Sequence, residues 1–161
     1  MIWAWHAATV FQIDVDDLSS SQTQALIAHH LAGMHATSPP ESVHALDLER
    51  LRDHTITFYA ARDGDALAGI GALKELGGGE GEIKSMRVAD AYLGRGVGRA
   101  LLHHLLAEAG ARGWQRLLLE TGTQQEFLPA RTLYAAAGFA ECPPFADYRL
   151  DPNSVFMART L

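Results

Sequence analysis

Three glycines at alternate positions in the segment GRGVGR, residues 94–99, carry the clearest chemical signal in the sequence. They run directly into a leucine-rich stretch whose apolar residues recur with helical spacing, so we expect them at the N-terminus of a helix. That end of a helix presents unpaired N–H groups and the positive end of the helix dipole, and glycine lets an anion approach closely. The segment therefore predicts a phosphate-binding loop.

The spacing of the glycines restricts which phosphate compound such a loop could bind. A dinucleotide-binding fingerprint reads G-x-G-x-x-G, whereas here the order is Gly94, Gly96, Gly98. A P-loop ends in G-K-[ST], whereas Gly98 is followed by Arg99 and Ala100. Both nucleotide motifs fail, and a tight strand-to-helix turn without a ligand stays open as the alternative.

The elements around this loop predict a mixed α/β sheet. Helices are expected at residues 23–36, 45–52, 97–113 and 129–138. Strands are expected at residues 9–15, 55–62, 66–76, 82–88, 117–121 and 154–161, the last of them closing the sheet. A flexible connector is expected at 77–81. This order differs from the strict alternation of strands and helices in a doubly wound fold.

Composition narrows the class of protein further. The chain has 161 residues, which is a normal length for one domain spanning 1–161, and its net charge of −6 argues against binding to nucleic acid or anionic membrane. Its first twelve residues lack the basic start and long apolar core of a signal peptide, and no apolar run is long enough to span a membrane. Cys142 is the single cysteine, which fits a reducing cytoplasm.

Three runs of sequence together resemble the GNAT N-acetyltransferase superfamily: MRVADAYLGRGVGRALLHHLL, RLLLETG and ARTLYAAAGF. The hallmark of that family is [Q/R]-x-x-G-x-[G/A] between a strand and a helix, and the resemblance covers residues 82–139 well. It implies a central, mostly antiparallel twisted sheet of six to seven strands with helices on both faces. Leu93 departs from the usual Gln or Arg, and Phe127 departs from an asparagine often found there.

The resemblance implies an acetyl-CoA-dependent N-acetyltransferase that transfers the acetyl group directly to a primary amine of a small molecule or peptide. Family members often pair, so a homodimer is an option. A different class of protein, an acyl-CoA-binding sensor without turnover, is the alternative. The residues implied in binding acetyl-CoA lie on the glycine loop, on the preceding strand and on the last helix: Met86, Arg87, Val88, Leu93, Gly94, Arg95, Gly96, Val97, Gly98, Arg99 and Arg131.

Two candidate catalytic residues follow from the same resemblance. Tyr134, in LYAAAGF, matches a tyrosine that protonates the departing CoA thiolate in the family, and a phenol is a reasonable donor to a thiolate. Glu82 is the preferred general base, with Glu120 in reserve. If strand alternation holds, Glu82 shares a face with Lys84, Met86 and Val88.

Acceptor recognition is expected in the least regular part of the chain, from the first predicted helix to residue 49. The candidate acceptor-binding residues are His35, Ser38, Glu41, Ser42, His44 and Glu120. A second polar loop could border the same cleft through Asp147, Tyr148 and Asn153. The adjacent histidines at 29–30 and 103–104 lack the i, i+4 spacing of a zinc pair, so we expect no metal site there and solvated side chains.

Overall fold

The computed structural model describes residues 10–161, and in this part of the chain seven strands form one sheet with three α-helices. The strands are β1 Gln12–Val15, β2 Ile56–Asp63, β3 Ala66–Gly77, β4 Glu80–Val88, β5 Arg116–Gly122, β6 Ala140–Glu141 and β7 Ser154–Thr160. The helices are α1 Ser21–Thr37, α2 Val97–Ala111 and α3 Leu128–Ala136. The strand order is β1-β2-β3-β4-β5-β7-β6.

Pairing in the sheet is mostly antiparallel, as predicted. Within residues 10–161, β4 and β5 are the one parallel pair, because α2 carries the chain back across the sheet between them. Apolar side chains of α1 pack against one face of the sheet, where they form a core with Phe58 of β2 and Ile70 of β3. The apolar stripe of α2 packs against the other face, where α3 joins it through Leu133 and Tyr134. The predicted mixed α/β fold class with helices on both faces is confirmed.

A bulge in β4 is the irregularity that matters most for function. Ile70 pairs with Arg87 and Ala72 with Lys84, so two residues of β4 lie opposite one of β3. Ser85, within the bulge, has a φ of 55°, a left-handed conformation that is uncommon for residues other than glycine. The bulge bends β4, and its parallel pairing with β5 ends at Ile83 and Leu119.

Several element predictions were accurate at the level of single residues. Ser20, from the polar run before α1, caps that helix by accepting a hydrogen bond from the Thr23 N–H at 3.1 Å. Gly96 is the N-cap of α2. Pro129 lies in the first turn of α3, and Gly138 follows that helix with a φ of 91°.

Other element predictions were wrong. The helix expected at 45–52 is reduced to a 3-10 turn at Arg50–Arg52, because Leu46, Leu48 and Leu51 all pack into the α1-side core at a spacing that an α-helix does not provide. The flexible connector expected at 77–81 is instead a tight turn at Gly78 and Gly79, which joins the end of β3 directly to the start of β4. The last strand does not close the sheet, because the short β6 pairs along its outer side. Residues 1–9, including the first residue of the strand predicted at 9–15, lie outside the described part.

Candidate active site

The pairing of β4 with β5 ends at Ile83 and Leu119, which leaves an opening between the two strands beyond that point. Among the described residues no strand pairs with the β5-facing edge of β4 from residue 84 to 88. Backbone polar groups on an open strand edge need partners, and an amide-rich chain lying in the opening could supply them. The backbone of Met86 and Val88, singled out from the sequence, therefore borders the opening.

The side chains of those two residues point away from the predicted face. Met86 packs against the α2-side core that contains Ile83, and Val88 packs with Val97 and Leu101 on the same side. The expectation that Met86 and Val88 share a face with Glu82 and Lys84 is therefore wrong. The extra residue at the bulge shifts the alternation by one position.

The glycine loop stands at the end of this opening, at the start of α2. Gly94 has a φ of 73° and Gly96 a φ of 84°, and a Cβ on either would meet no atom within 4 Å. Glycine is thus required there by backbone conformation, while the space beside it is open. Within residues 10–161 no side chain caps the helix at Gly96, so the first N–H groups of α2 face that space. These are the properties of an anion site.

The other residues predicted to bind acetyl-CoA differ in where their side chains lie. Leu93 is 63% exposed, and the side chains of Arg95 and Arg99 are exposed beside the loop, where Arg95 stacks on Tyr92. The guanidinium of Arg87 is 3.1 Å from the ring of His29 on α1. The Arg87 side chain therefore lies on the α1 side of the sheet and not on the α2 side.

Gly98 and Arg131 have contacts within the protein that account for them. Gly98 lies inside α2, and a Cβ there would meet Leu133 of α3 at 3.4 Å. Arg131 donates from Nη1 to the carbonyls of Gly122 at 2.6 Å and Gln124 at 3.1 Å, which fixes the loop between β5 and α3. The roles of Gly98 and Arg131 in binding acetyl-CoA stay predictions.

A small cavity of about 100 Å³ lies beside the opening and contains both candidate carboxylates. Its lining includes Glu82, Glu120, Tyr134, Tyr148, Lys84 and His44. We call it the inner cavity. Glu120, on β5, accepts a hydrogen bond from the Ser154 hydroxyl of β7 at 2.9 Å. Burial raises the pKa of Glu120 to about 7, with the charge of Glu82 adding to the effect and that of Lys84 opposing it.

Glu82 lies in the same cavity but is bound by other side chains. Its carboxylate accepts hydrogen bonds from the Tyr148 hydroxyl at 2.5 Å and from the Lys84 ammonium at 3.3 Å. Lys84 also donates to the Tyr148 hydroxyl at 2.8 Å and to the backbone carbonyl of His44 at 3.2 Å. The side chains of Glu82 and Lys84 are only 3% and 9% exposed, so this is a buried ion pair with its donors satisfied.

The loop after α1 and the loop before β7 are joined by hydrogen bonds over the ion pair of Glu82 and Lys84. The Ser42 hydroxyl donates to Asp151 at 2.6 Å and accepts from the Asn153 amide at 3.3 Å, and the rings of His44 and Tyr148 meet edge to face. An outer cavity of about 320 Å³ opens between the loops, and four residues, Glu82, Lys84, His44 and Tyr148, line both cavities.

The predicted acceptor residues divide between those at the two cavities and those away from them. Glu41 and His44 line the outer cavity, Glu120 lines the inner one, and Ser42 fixes the loops between them. His35 is exposed on α1, and Ser38 is the C-cap of that helix through its backbone N–H; neither lines the inner or the outer cavity.

The sequence matches the family described as acetyltransferase (GNAT) family over residues 22–139. The chain belongs to the GNAT family. Two bacterial relatives extend the match over nearly the whole chain. The Bacillus subtilis protein named uncharacterized N-acetyltransferase YsnE is 54% identical over 92% of this chain and 99% of its own. The Escherichia coli protein named uncharacterized N-acetyltransferase YedL is 53% identical over 94% of this chain and 96% of its own.

Solved structures agree with the GNAT assignment. A Klebsiella pneumoniae protein described as an acyl-CoA N-acyltransferase has 31% sequence identity, covers 95% of this chain and 99% of its own, and superposes with a TM-score of 0.80. The chain is an acetyltransferase that uses acetyl-CoA and acts on an amine acceptor. The alternative of a sensor without turnover is not favoured. Within residues 10–161 no helix is long and apolar enough to cross a bilayer.

For a GNAT enzyme the loop geometry predicts a specific loss of acetyl-CoA binding when Gly96 gains a side chain. Gly96→Ala forces a residue with a Cβ into the left-handed region, at a cost of about 1–2 kcal/mol. Because the variant loop can relax out of that conformation when acetyl-CoA is absent, binding has to restore the strained conformation, and we expect the dissociation constant for acetyl-CoA, measured by isothermal titration calorimetry, to rise about 5–30-fold. Gly110→Ala is the matched control, because Gly110 lies near the other end of α2, does not have a positive φ, and a Cβ there would meet nothing within 4 Å; equal losses in both variants would contradict the argument.

The structure also identifies residues that the sequence reasoning did not assign. Lys84, Asp151 and Ser154 hold the cavity together through bonds that join positions far apart in sequence. The expectation of solvated histidines is wrong for His30, which is 9% exposed and lines the inner cavity. Its position one turn before Met34, on the buried side of α1, is a signal that a helical projection could have shown.

Proposed function

We propose that this GNAT enzyme acetylates a primary amine of a small molecule or a peptide, with Glu120 as the general base. The observation that carries the proposal is Glu120 itself, a carboxylate with a pKa of about 7 in a cavity shared with Tyr134. A base with that pKa is mostly ionised just above neutral pH, and it is strong enough to take a proton from an ammonium group beside it.

Glu82, the base preferred from the sequence, is the less suitable of the two carboxylates. Its oxygen Oε1 already accepts hydrogen bonds from the Tyr148 hydroxyl and the Lys84 ammonium. A proton taken from the acetyl acceptor would have to displace one of these two donors. Among the described residues, Ser154 provides one side-chain hydrogen bond to Glu120, and this bond and the charge of Lys84 oppose protonation but are outweighed by burial. We therefore assign Glu82 to positioning: together with Lys84 it holds Tyr148 and the His44 backbone in place.

Tyr134 is proposed as the general acid. It is 6% exposed, it lines the inner cavity, and burial followed by the charge of Glu120 raises the pKa of its phenol well above the ordinary value. The phenol therefore stays protonated at every working pH. Because the same shift makes it a weak acid, it gives its proton to the departing thiolate as it takes the surplus proton from the attacking nitrogen.

The reaction that these residues support has balanced proton transfers. Glu120 takes a proton from the acceptor ammonium, and the freed amine attacks the thioester carbonyl. The new C–N bond forms as the C–S bond breaks; Tyr134 gives its proton to the thiolate, and its phenolate takes the surplus proton from the attacking nitrogen, which leaves a neutral amide, a free thiol and a neutral phenol. The backbone edge of β4 at Met86 and Val88 and the N–H groups at Gly96–Gly98 are proposed to bind the pantetheine and the pyrophosphate.

Replacement of Tyr134 by Phe tests the assignment of the acid. Because only the hydroxyl is lost, we expect kcat to fall about 10²-fold while the dissociation constant for acetyl-CoA changes less than about twofold. Tyr59→Phe is the matched control, since Tyr59 is a buried tyrosine whose hydroxyl lies near Glu108 and Arg112, on the α2 side. Full activity of Tyr134→Phe would remove the phenol from the mechanism.

The acceptor class is tested by thiol release from acetyl-CoA over a panel of primary amines that includes free amino acids, polyamines, aralkylamines and short peptides. Mass spectrometry of the product identifies the acetylated nitrogen, and calorimetry with NADH is the negative control for cofactor binding. The proposal expects at least one amine class to stimulate thiol release well above the rate with acetyl-CoA alone. Binding of acetyl-CoA without stimulation by any of these amines would contradict it. The homodimer and the cytoplasmic location expected from the sequence stay predictions.

A further inference from the structure

Tyr148 lines both the inner and the outer cavity but takes no part in the proposed proton transfers. Its ring is packed edge to face against His44 and Phe145, with ring centroids 5.0 Å apart in each pair. Its hydroxyl contacts the carboxylate of Glu82 at 2.5 Å and the ammonium of Lys84 at 2.8 Å. Ring packing and two hydrogen bonds therefore hold the phenol oxygen in a fixed position beside the two cavities.

The chemistry of its two partners fixes the role of the Tyr148 hydroxyl in each hydrogen bond. The carboxylate of Glu82 can only accept, so the phenol proton is donated to it. The ammonium of Lys84 can only donate, so the phenol oxygen accepts from it and keeps one further lone pair. All three N–H groups of Lys84 are used, on Glu82, on Tyr148 and on the backbone carbonyl of His44. This network therefore offers a bound molecule hydrogen-bond acceptors and no donor.

The Tyr148 hydroxyl and the proposed catalytic groups surround the same space. Glu120, Tyr134 and Tyr148 all line the inner cavity, which has a volume of about 100 Å³. Burial raises the pKa of both phenols, Glu82 raises that of Tyr148 further, and the charge of Glu120 adds to both shifts. The carboxylate of Glu120 thus lies close to both hydroxyls, and a nitrogen that reacts between Glu120 and Tyr134 lies beside the Tyr148 oxygen as well.

The nitrogen of a primary amine has one N–H that the proposed reaction does not consume. A primary ammonium begins with three N–H groups. Glu120 takes the first proton, the phenolate of Tyr134 takes the surplus proton during attack, and the third stays on the amide product. A secondary ammonium has only the two protons that are lost, and an alcohol loses the one O–H that it has. An N–H that stays on the reacting atom throughout is therefore particular to a primary amine.

We propose that Tyr148 is a specificity-determining residue whose phenol oxygen accepts a hydrogen bond from the N–H that the acceptor nitrogen retains. Glu82 and Lys84 make this possible, because they engage the phenol proton and one lone pair and leave the oxygen as an acceptor only. The acceptor class that fits is a primary amine. A secondary amine would place an alkyl group against the phenol oxygen where the retained N–H belongs. This inference rests on the proposed amine acetylation.

The test compares a primary amine with its N-methyl derivative at saturating acetyl-CoA. The pairs are L-phenylalanine and N-methyl-L-phenylalanine, phenethylamine and N-methylphenethylamine, putrescine and N,N′-dimethylputrescine, and glycylglycine and sarcosylglycine; each pair whose primary amine is acetylated is used. The wild-type enzyme should prefer the primary amine by at least about 100-fold in kcat/KM. Tyr148→Phe removes the oxygen and makes room for the methyl group, so this ratio should fall by at least about 10-fold. The dissociation constant for acetyl-CoA should change less than about twofold.

Three further variants separate the hydrogen bond from its structural surroundings. Tyr148→Leu, a second variant without the oxygen, should lower the ratio as Tyr148→Phe does. Glu82→Gln keeps an amide oxygen that accepts from the Tyr148 hydroxyl, so it should retain the preference for the primary amine although its overall rate is lower. Tyr59→Phe is the matched control, because the Tyr59 hydroxyl is bound by Arg112 on the α2 side and Tyr59 does not line the inner cavity.

Failure of the inference is distinguishable from failure of the proposed function. If the wild-type enzyme acetylates primary amines and their N-methyl derivatives equally well, Tyr148 does not select for the retained N–H. If Tyr148→Phe and Tyr148→Leu lower both rates but keep the ratio, the role of Tyr148 is structural and the inference is overturned. A ratio lost in Glu82→Gln but kept in the Tyr148 variants would assign the contact to Glu82 instead. If the wild-type enzyme acetylates no amine at all, the proposed function fails and this inference fails with it.

Discussion

Replacing Glu120 by Gln is expected to lower kcat/KM for the acceptor by about 10²–10⁴-fold, the range over which a positioned base accelerates proton transfer. The amide keeps the size of the side chain and can still accept a hydrogen bond from Ser154, so the cavity should keep its shape. Thiol-release kinetics at saturating acetyl-CoA measure the loss. The dissociation constant for acetyl-CoA, obtained by calorimetry, should change less than about twofold.

Two comparison variants test whether the loss of rate is specific to Glu120. Glu126→Gln alters an exposed glutamate just after β5 and should leave the kinetics unchanged. Glu82→Gln should lower the rate less than Glu120→Gln does, since Glu82 positions Tyr148 and Lys84 instead of taking the proton. A larger loss from Glu82→Gln than from Glu120→Gln would restore the base assignment made from the sequence.

Replacing Lys84 by Met is expected to lower the free energy of unfolding by about 3–5 kcal/mol at neutral pH, because a buried carboxylate loses its counter-charge. The Glu82 side chain is only 3% exposed, and Tyr148 alone would remain to bind it. Methionine fills the volume of the lysine stem, so lost packing contributes little. Urea denaturation of the protein without acetyl-CoA measures the change.

The double variant Lys84→Met/Glu82→Gln isolates the electrostatic cause of that loss. With both charges removed, no unpaired ion is buried, and most of the stability should return. Lys74→Met, on the neighbouring strand opposite Glu82, changes a less buried lysine and should alter stability by about 0.5 kcal/mol or less. If the double variant were as unstable as Lys84→Met alone, the loss would be due to packing and not to charge.

The features that could be predicted from the sequence are those fixed by local pattern. The apolar stripe of α2, the positive φ of Gly96 and the N-cap at Ser20 each depend on a few neighbouring residues. The glycine loop lies at the start of α2, where the pattern placed it, and the two candidate bases, Glu82 and Glu120, line one cavity. The short helix expected at 45–52 failed because tertiary burial of its leucines overrides helix propensity.

The remainder of the site depends on contacts that no local pattern encodes. Nothing near Ser85 in sequence indicates a bulge, yet that bulge reverses the face of Met86 and ends the pairing with β5. The choice between the two glutamates depends on Tyr148, Lys84 and Ser154, which reach the cavity from three different strands or loops. Each of those contacts exists only after the sheet has formed.

The central claim, that Glu120 is the base of an amine acetyltransferase, is tested most directly by the dependence of kcat/KM on pH. A glutamate with its pKa raised to about 7 must be ionised to act, so the wild-type rate should fall as pH decreases through about 7. That acidic limb should disappear in Glu120→Gln, at a much lower overall rate, and persist in Glu82→Gln. A limb that survives in Glu120→Gln and vanishes in Glu82→Gln would contradict the account.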